Sequence, residues 1–248
     1  MRFLSWFFIW IILVGKAFAQ YDTEEPDSES QHIVSEDTIQ TSGVRSAEKF
    51  NIVFNRGFIV TQSSNDSVPV KGSASGTTFI GLSFNKLLSP RFAIQFQPGF
   101  SGYKFEFPAK PEKIFPTRGD TVYRYERLRF FYIDIPIGLR YNLVRDSRYR
   151  AVSFIEFGGS IGYHIASSTK RSRMVGDQEI KEKLSGAGEV NKLRVCLYIK
   201  AHYRFLGIWI NSRITNVYDP NKTYFTDDGR VEKYPRLPSI EIGLSVTL

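Results

Sequence analysis

Apolar and polar residues alternate along most of the chain after Phe50. The pattern is clearest from Phe131 to Leu143, where every second residue is apolar and the residues between are polar, small or proline. A period of two is typical of β-strands with one apolar and one polar face. The alternation predicts eight strands and no helix. Their approximate bounds are 50–62, 78–86, 91–107, 124–143, 150–167, 189–205, 208–216 and 237–248.

The connections between these strands alternate in length. Long connections at 63–77, 108–123, 168–188 and 217–236 alternate with short ones at 87–90, 144–149 and 206–207. Outer-membrane barrels have short periplasmic turns and long external loops. The sequence therefore predicts an all-β fold, an eight-stranded antiparallel up-and-down transmembrane β-barrel in the outer membrane. An even number of strands also places both the N- and C-termini in the periplasm.

The polar faces of the strands are rich in glycine and carry charges of both signs. The lumen of an eight-stranded barrel is just wide enough for side chains, so glycines there leave room for larger neighbours. Buried charges must be paired and hydrogen-bonded. These faces predict a polar network in the lumen, made of Asp134, Arg140, Glu156, Arg194, Lys200, Arg204, Arg213 and Glu241. Alternation alone leaves open a soluble lipocalin-like binder, in which the apolar faces point inward.

The first residues of the chain have the pattern of a secretory signal peptide. Arg2 precedes an apolar run, and the small residues Ala17 and Ala19 fit a cleavage site that leaves Gln20 as the mature N-terminus. The run is about 12 residues long, whereas a spanning helix needs about 20. Residues 1–19 are therefore predicted to direct export, which argues against nucleic acid as a partner despite the net charge of +8.

The charge is divided unevenly along the exported chain. Residues 20–48 contain eight acidic residues and one basic residue, and they lack phenylalanine and tryptophan. Such a segment buries too little apolar surface to offset the entropy of ordering it. We interpret residues 20–48 as a disordered acidic periplasmic leader and residues 49–248 as the barrel.

Three segments carry a resemblance to a known family. Residues 132–141 (YIDIPIGLRY) resemble the acid–isoleucine–proline strand of the PorT-like outer-membrane β-barrel family, which is found mainly in the Bacteroidetes. Residues 154–163 are similar to its next, glycine-rich strand, and residues 207–218 to its glycine–leucine–threonine–asparagine stretch before the last hairpin. Some members are accessory components of type IX protein secretion. The resemblance implies a non-enzymatic component of a cell-envelope assembly, with secretion as the leading context.

A lipid A-modifying barrel enzyme is the alternative from another functional class. Such enzymes use histidine with serine and a carboxylate, and His164, Ser168 and Glu156 are the candidates. Glu156 is eight residues from His164, which is about 26 Å along a strand, so it cannot orient that histidine. The sequence therefore favours a protein without enzymatic activity. One cysteine and three scattered histidines also predict no metal site and no cofactor.

The loops suggest contacts outside the barrel. Three cations in the 168–188 loop are candidates to bind lipopolysaccharide phosphates: Lys170, Arg171 and Arg173. Three residues fit the pattern of aspartate, serine or threonine, then an aliphatic residue, which resembles a Bacteroidetes O-glycosylation site: Thr38, Ser67 and Thr121. The expected partners are outer-membrane lipid, lipopolysaccharide and envelope or secretion-machinery proteins.

Overall fold

A computed structural model describes most of the chain beyond Phe50. The described residues are 50–60, 70–108, 115, 123–145, 151–186, 188–219, 221–225 and 229–248. The predicted signal peptide and acidic leader lie outside them. This part of the chain contains no helix that is both long enough and apolar enough to cross a membrane.

The described residues form twelve β-strands and one short 3-10 helix, Gly72–Ala74. The strands are β1 (Asn51–Val60), β2 (Gly76–Leu87), β3 (Phe92–Phe96), β4 (Gly99–Pro108), β5 (Tyr125–Arg145), β6 (Ala151–Val175), β7 (Gln178–Ser185), β8 (Leu193–Tyr203), β9 (Leu206–Arg213), β10 (Thr223–Phe225), β11 (Val231–Lys233) and β12 (Ile240–Thr247).

The strands close into an antiparallel ring of eight positions. Around the ring the order is β1, β2, β3 with β4, β5, β6, β8, β9 and β12, which pairs with β1 again. Strands β3 and β4 share one position because both lie between β2 and β5. They are separated at Gln97 and Pro98, and Pro98 has no N–H to donate. The predicted fold class is confirmed, with one strand of the prediction divided in two.

The ring closes between its first and last strands. Ile52 and Leu248 exchange two backbone hydrogen bonds of 2.9 Å each, and the register continues from Val53 opposite Thr247 to Val60 opposite Ile240. Closure leaves no unpaired edge within the ring itself.

Apolar side chains face outward over most of the wall, and polar side chains face inward. Ile161, Ile208 and Leu244 are each about 60% exposed, whereas Glu156 and Ser245 are fully buried. A membrane barrel requires this arrangement because its outer surface contacts lipid. A soluble lipocalin-like barrel would require the opposite arrangement.

Two long strands extend the wall on one side. The sequence predicted a loop over residues 168–188, but β6 continues to Val175 and returns as β7 after a turn at Gly176 and Asp177. Gly176 has a φ of 61°, which suits a glycine in a tight hairpin turn. The prediction failed because this hairpin has polar residues on both faces, so no apolar period marks it. Strands β5 and β6 contain 21 and 25 residues, whereas about 9–11 residues cross a bilayer.

The two ends of the ring differ in their connections. We call one end the loop rim, where β1–β2, β4–β5, β7–β8 and β9–β12 are joined. The long β9–β12 connection also contains the small β10–β11 pair. We call the other end the turn rim, where β2–β3, β5–β6 and β8–β9 are joined and where residues 50 and 248 lie.

Candidate functional site

Side chains from the ring fill the lumen in layers, and the first layer lies at the turn rim. The Phe154 ring stacks on His202 with centroids 4.7 Å apart and planes 4° apart. The Arg140 guanidinium lies 4.0 Å from the centre of the same Phe154 ring and donates to the Asn142 side chain at 2.9 Å. These flat groups cover the lumen at this end.

The second layer contains a carboxylate and an ammonium group from neighbouring strands. Glu156 on β6 lies directly opposite Lys200 on β8. Glu156 accepts a hydrogen bond of 2.6 Å from the Tyr198 hydroxyl. Lys200 donates to the Gln97 side chain at 2.8 Å, so the break after β3 supplies part of this layer. Hydrogen bonds of this kind reduce the cost of burying a charged group.

The third layer is an ion pair between two tyrosine rings. Arg194 donates to the Asp134 carboxylate, and its guanidinium lies 4.4 Å from the ring centre of Tyr103 and 4.7 Å from that of Tyr132. Gly162 makes room for the pair, since a Cβ there would lie 2.9 Å from the nearer Asp134 oxygen. A glycine on a polar face is thus explained by a large charged neighbour.

A polar cavity of about 50 Å³ lies beside this ion pair. Its lining includes Ser101, Asp134, Arg194 and Asn211, each of which has a buried polar atom with no protein partner among the described residues. A polar cavity of this size suits a small number of water molecules. Its lining also includes Tyr198 and Lys200, so the cavity extends from the third layer to the second.

The remaining predicted lumen charges divide into those that face the lumen and one that does not. Glu241, which is 1% exposed, accepts from the Asn211 amide at 3.1 Å. Arg213 donates to the backbone oxygens of Leu237 and Pro238 at 3.1 and 2.7 Å. The prediction for Arg204 is wrong, because Arg204 is exposed in the β8–β9 turn with a φ of 54°. Strand β8 ends at Tyr203, one residue before Arg204, so the alternation of the strand does not determine which way the Arg204 side chain points.

An aromatic cluster, which we call the loop-rim plug, closes the other end of the lumen. Phe105 on β4 packs edge-on against Phe130 on β5, with centroids 6.0 Å apart. Phe115, from the β4–β5 connection, packs at 5.3 to 6.1 Å against four more rings, which belong to Phe107, Tyr218, Tyr224 and Tyr234. The plug therefore ties two long connections to the wall.

Sequence reasoning missed this plug, although its signal is present. In the lipid-facing part of the wall the apolar residues point outward, but beyond Ser101 on β4 and before Phe131 on β5 they point inward. The alternation is equally regular in both parts. The boundary has one mark in the sequence, which is that the charged residues change faces. They lie on the lumen face in the lipid-facing part and on the outward face beyond it, as at Lys104 and Arg129.

The candidate catalytic residues are not brought together. His164 faces the lumen, where its ring lies 5.5 Å from Tyr132. A bulge at Ile165 shifts the pairing, so Ser168 lies opposite Arg129 on the outward face. Glu156 belongs to the second layer with Tyr198. The described residues also contain no group of three or more histidine, cysteine or acidic side chains that could hold a metal ion.

The three cations proposed to bind lipopolysaccharide are divided between two faces. Arg171 pairs with the buried Glu126 at 3.0 Å and Arg173 pairs with Glu182 at 3.3 Å. Lys170 lies on the opposite, outward face with Arg127. The predicted glycosylation sites Thr38, Ser67 and Thr121, and the predicted cleavage-site residues Ala17, Ala19 and Gln20, lie outside the described residues.

A closed antiparallel ring with an apolar outer belt and a charged, filled lumen defines an integral outer-membrane β-barrel protein. The family model of the outer membrane protein beta-barrel domain matches residues 18–218. The chain belongs to this family. No curated protein matches the chain.

Proposed function

We propose that this outer-membrane barrel is a non-enzymatic component of a cell-envelope assembly. The observation that carries the proposal is the filled lumen, which is covered by Arg140, Phe154 and His202 at the turn rim and by the plug at the loop rim. An interior of this kind offers no wide path for solutes. The outer wall, the projecting hairpin and the loops are then the surfaces left for function.

The proposed orientation places the loop rim outside the cell and both termini in the periplasm. Its support is the difference in connection length between the rims. The single cysteine, Cys196, is 0% exposed, so a second cysteine can be labelled without background. We expect a membrane-impermeant maleimide to label Asp177→Cys in intact cells. Labelling of Asp177→Cys only after the cells are broken would show that the loop rim faces the periplasm, opposite to the proposed orientation.

Type IX secretion is the proposed context of this assembly. The support is the resemblance of residues 132–141 to the corresponding strand of PorT-like barrels. In the structure this segment lies on β5 and supplies Asp134 to the third layer. The backbone oxygen of Pro136 accepts from the Gln97 N–H at 2.9 Å, at the break between β3 and β4.

The assembly is tested by affinity purification from outer membranes in mild detergent, with a tag placed after Ala19. We expect stoichiometric recovery of a defined set of envelope proteins. Two variants then locate the contact. One lacks residues 20–48, and the other replaces residues 173–180 with Asn-Gly, which closes the hairpin as a two-residue turn. Loss of the partners from one variant, with the barrel still folded, assigns the contact to that segment.

Two results would overturn the proposal. Recovery of the barrel alone, with only lipopolysaccharide attached, would show that the barrel is not a component of a protein assembly. A change in lipid A mass that depends on His164 and Ser168, tested by changing each to alanine, would instead support the enzyme.

A further inference from the structure

The outward face of the projecting wall changes from apolar to cationic at one register. Gly102, Phe131 and Ala166 lie side by side on β4, β5 and β6 as the last uncharged row of the lipid-facing belt. The next outward row toward the loop rim contains Lys104 opposite Arg129. A further row contains Glu106, Arg127, Lys170 and Lys183 on four successive strands.

These two rows contain five cations and one carboxylate, and we call them the rim cation cluster. Its members are Lys104, Glu106, Arg127, Arg129, Lys170 and Lys183. Like charges lie directly opposite each other at Lys104 and Arg129, at Arg127 and Lys170, and at Lys170 and Lys183. Directly opposed like charges destabilise a sheet. A wall with this pattern is stabilised when an anion lies between the cations.

The one carboxylate of the cluster is already engaged. Both Nε and Nη2 of Arg127 donate to the same Glu106 oxygen, at 3.1 and 2.7 Å. Among the described residues, no carboxylate forms an ion pair with Lys104, Arg129, Lys170 or Lys183. By contrast, the cations on the inner side of the same wall are paired, since Arg171 contacts Glu126 and Arg173 contacts Glu182.

A further cation lies beside the cluster. Arg56 on β1 points outward and donates to the Thr78 hydroxyl at 2.6 Å. Thr78 pairs with Gly102, which has no side chain to separate Arg56 from Lys104. Arg56, Arg127 and Arg129 are the cations that act most strongly on Lys104. Cations on this outward surface therefore lie on β1, β4, β5, β6 and β7. Arg56 is in the register row of Gly102, and the others are one or two rows closer to the loop rim.

We propose that the rim cation cluster binds the phosphate groups of lipopolysaccharide in the outer leaflet. The proposal rests on the proposed orientation, because the loop rim must face outward. A lipid phosphate at the upper edge of an apolar belt meets the cluster while its acyl chains contact the belt. Guanidinium groups bind phosphate bidentately and ammonium groups bind it as point charges. The site replaces the predicted trio, of which only Lys170 is a member.

The test measures binding of purified lipopolysaccharide to the full-length barrel in phosphatidylcholine nanodiscs. The variant carries Lys104→Gln, Arg129→Gln and Lys170→Gln. The matched control carries Lys86→Gln, Arg91→Gln and Arg204→Gln, three exposed cations at the turn rim. We expect binding of the variant to fall at least about tenfold, since each cation near a lipid surface contributes to the attraction. The control should bind like the wild type.

Two further arms define the ligand. Lipopolysaccharide treated with a phosphatase should bind the wild type as weakly as intact lipopolysaccharide binds the variant. Inorganic phosphate at the same concentration should not displace lipopolysaccharide, because it lacks acyl chains to contact the belt. Displacement by inorganic phosphate would assign the cluster to free phosphate and overturn the lipid proposal.

Folding and orientation are controlled separately. The gel shift of an unheated barrel shows whether each variant is folded, and Lys170→Gln alone serves if the triple variant is not. Equal binding by the wild type and a folded variant would overturn the proposal, as would absence of binding by the wild type. If Asp177→Cys is not labelled on intact cells but nanodisc binding depends on the cluster, the orientation is wrong. The cluster then binds anions, but the proposal that it binds lipopolysaccharide in the outer leaflet is overturned.

Discussion

At the scale of single residues, the lumen depends on charges that are almost completely buried. Arg194 and Asp134 are 3% and 4% exposed. Removing an ion from water costs several kcal/mol, and only a partner with good geometry offsets that cost. The Tyr103 and Tyr132 rings add cation–π attraction to the ion pair. Loss of one member of the pair is therefore more harmful than loss of an exposed charge.

Replacing Asp134 with alanine should strongly destabilise the barrel. Arg194 would remain buried without its carboxylate, which costs about 3–5 kcal/mol in comparable cases. The urea midpoint of the full chain in detergent micelles measures the change. Arg204→Gln is the control, since Arg204 is exposed in a turn, and it should change the free energy of unfolding by less than about 0.5 kcal/mol. Equal midpoints for the two variants would contradict the assigned role of the ion pair.

Two glycines allow a matched test of space in the lumen. A Cβ at Gly162 would lie 2.9 Å from Asp134 and 3.1 Å from Arg194, whereas one at Gly102 would meet only the Phe131 ring at 3.5 Å. We expect Gly162→Ala to lower the free energy of unfolding by about 1–3 kcal/mol through overpacking. Gly102→Ala should be neutral or slightly stabilising. The same urea titration compares them, and a neutral Gly162→Ala would refute the close packing.

At the scale of elements, the β6–β7 hairpin is held by polar contacts. The Ser172 hydroxyl donates to Glu179 at 2.6 Å, and Lys181 lies 3.1 Å from the other Glu179 oxygen. These two contacts, the serine hydrogen bond first, lower the pKa of Glu179 below its ordinary value. The carboxylate form is therefore the one that stabilises the hairpin.

The hairpin should loosen in acid while the ring stays intact. A group with a lowered pKa contributes stability above its unfolded pKa and loses it as the pH falls through the folded pKa. Hydrogen exchange of residues 173–181, corrected for intrinsic rates, should be faster at about pH 3 than at about pH 6, with unchanged protection in β8. Glu179→Gln should remove most of this difference. Protection that is independent of pH in the wild type would contradict the assignment.

The elements also show how far alternation predicts this structure. It correctly predicted the strands that cross the membrane, because lipid outside and side chains inside enforce opposite polarities on the two faces, as at Ile161 and Glu156. It could not predict β7, where water lies on both sides and neither face must be apolar. It also could not reveal that Phe105 and Phe130 point inward, because a regular period does not say which face is inside.

At the scale of the whole molecule, the lumen is closed at several independent levels. The loop-rim plug, the Asp134–Arg194 layer, the Glu156–Lys200 layer and the Phe154–His202 stack follow one another along the axis. The candidate site could be predicted only in part from sequence. Lumen charges follow from strand parity, whereas the plug depends on Phe115 and Tyr234, which lie in connections without a period.

Phe115→Ala should loosen the loops without opening the barrel. Phe115 is 3% exposed and contacts rings from the wall and from another connection, so its truncation should cost about 3–5 kcal/mol of local packing. Limited proteolysis should cut the β4–β5 and β9–β12 connections faster than in the wild type. Planar-bilayer recordings should show no new conductance, because three layers remain beneath the plug. A stable open channel in Phe115→Ala would show that the plug alone closes the lumen.

The pairing of β1 with β12 has a consequence for how the barrel forms. The hydrogen bond of 2.6 Å between Ser245 and Asn55 joins residues 190 positions apart in the chain. Contacts between residues so far apart stabilise the chain only after it has lost much conformational entropy in closing the loop between them, and this slows folding. Until that seam forms, the partly folded chain exposes two β edges that can add strands from other chains. Its passage to the membrane is therefore the stage at which aggregation competes with folding, and binding by a periplasmic chaperone is most valuable there.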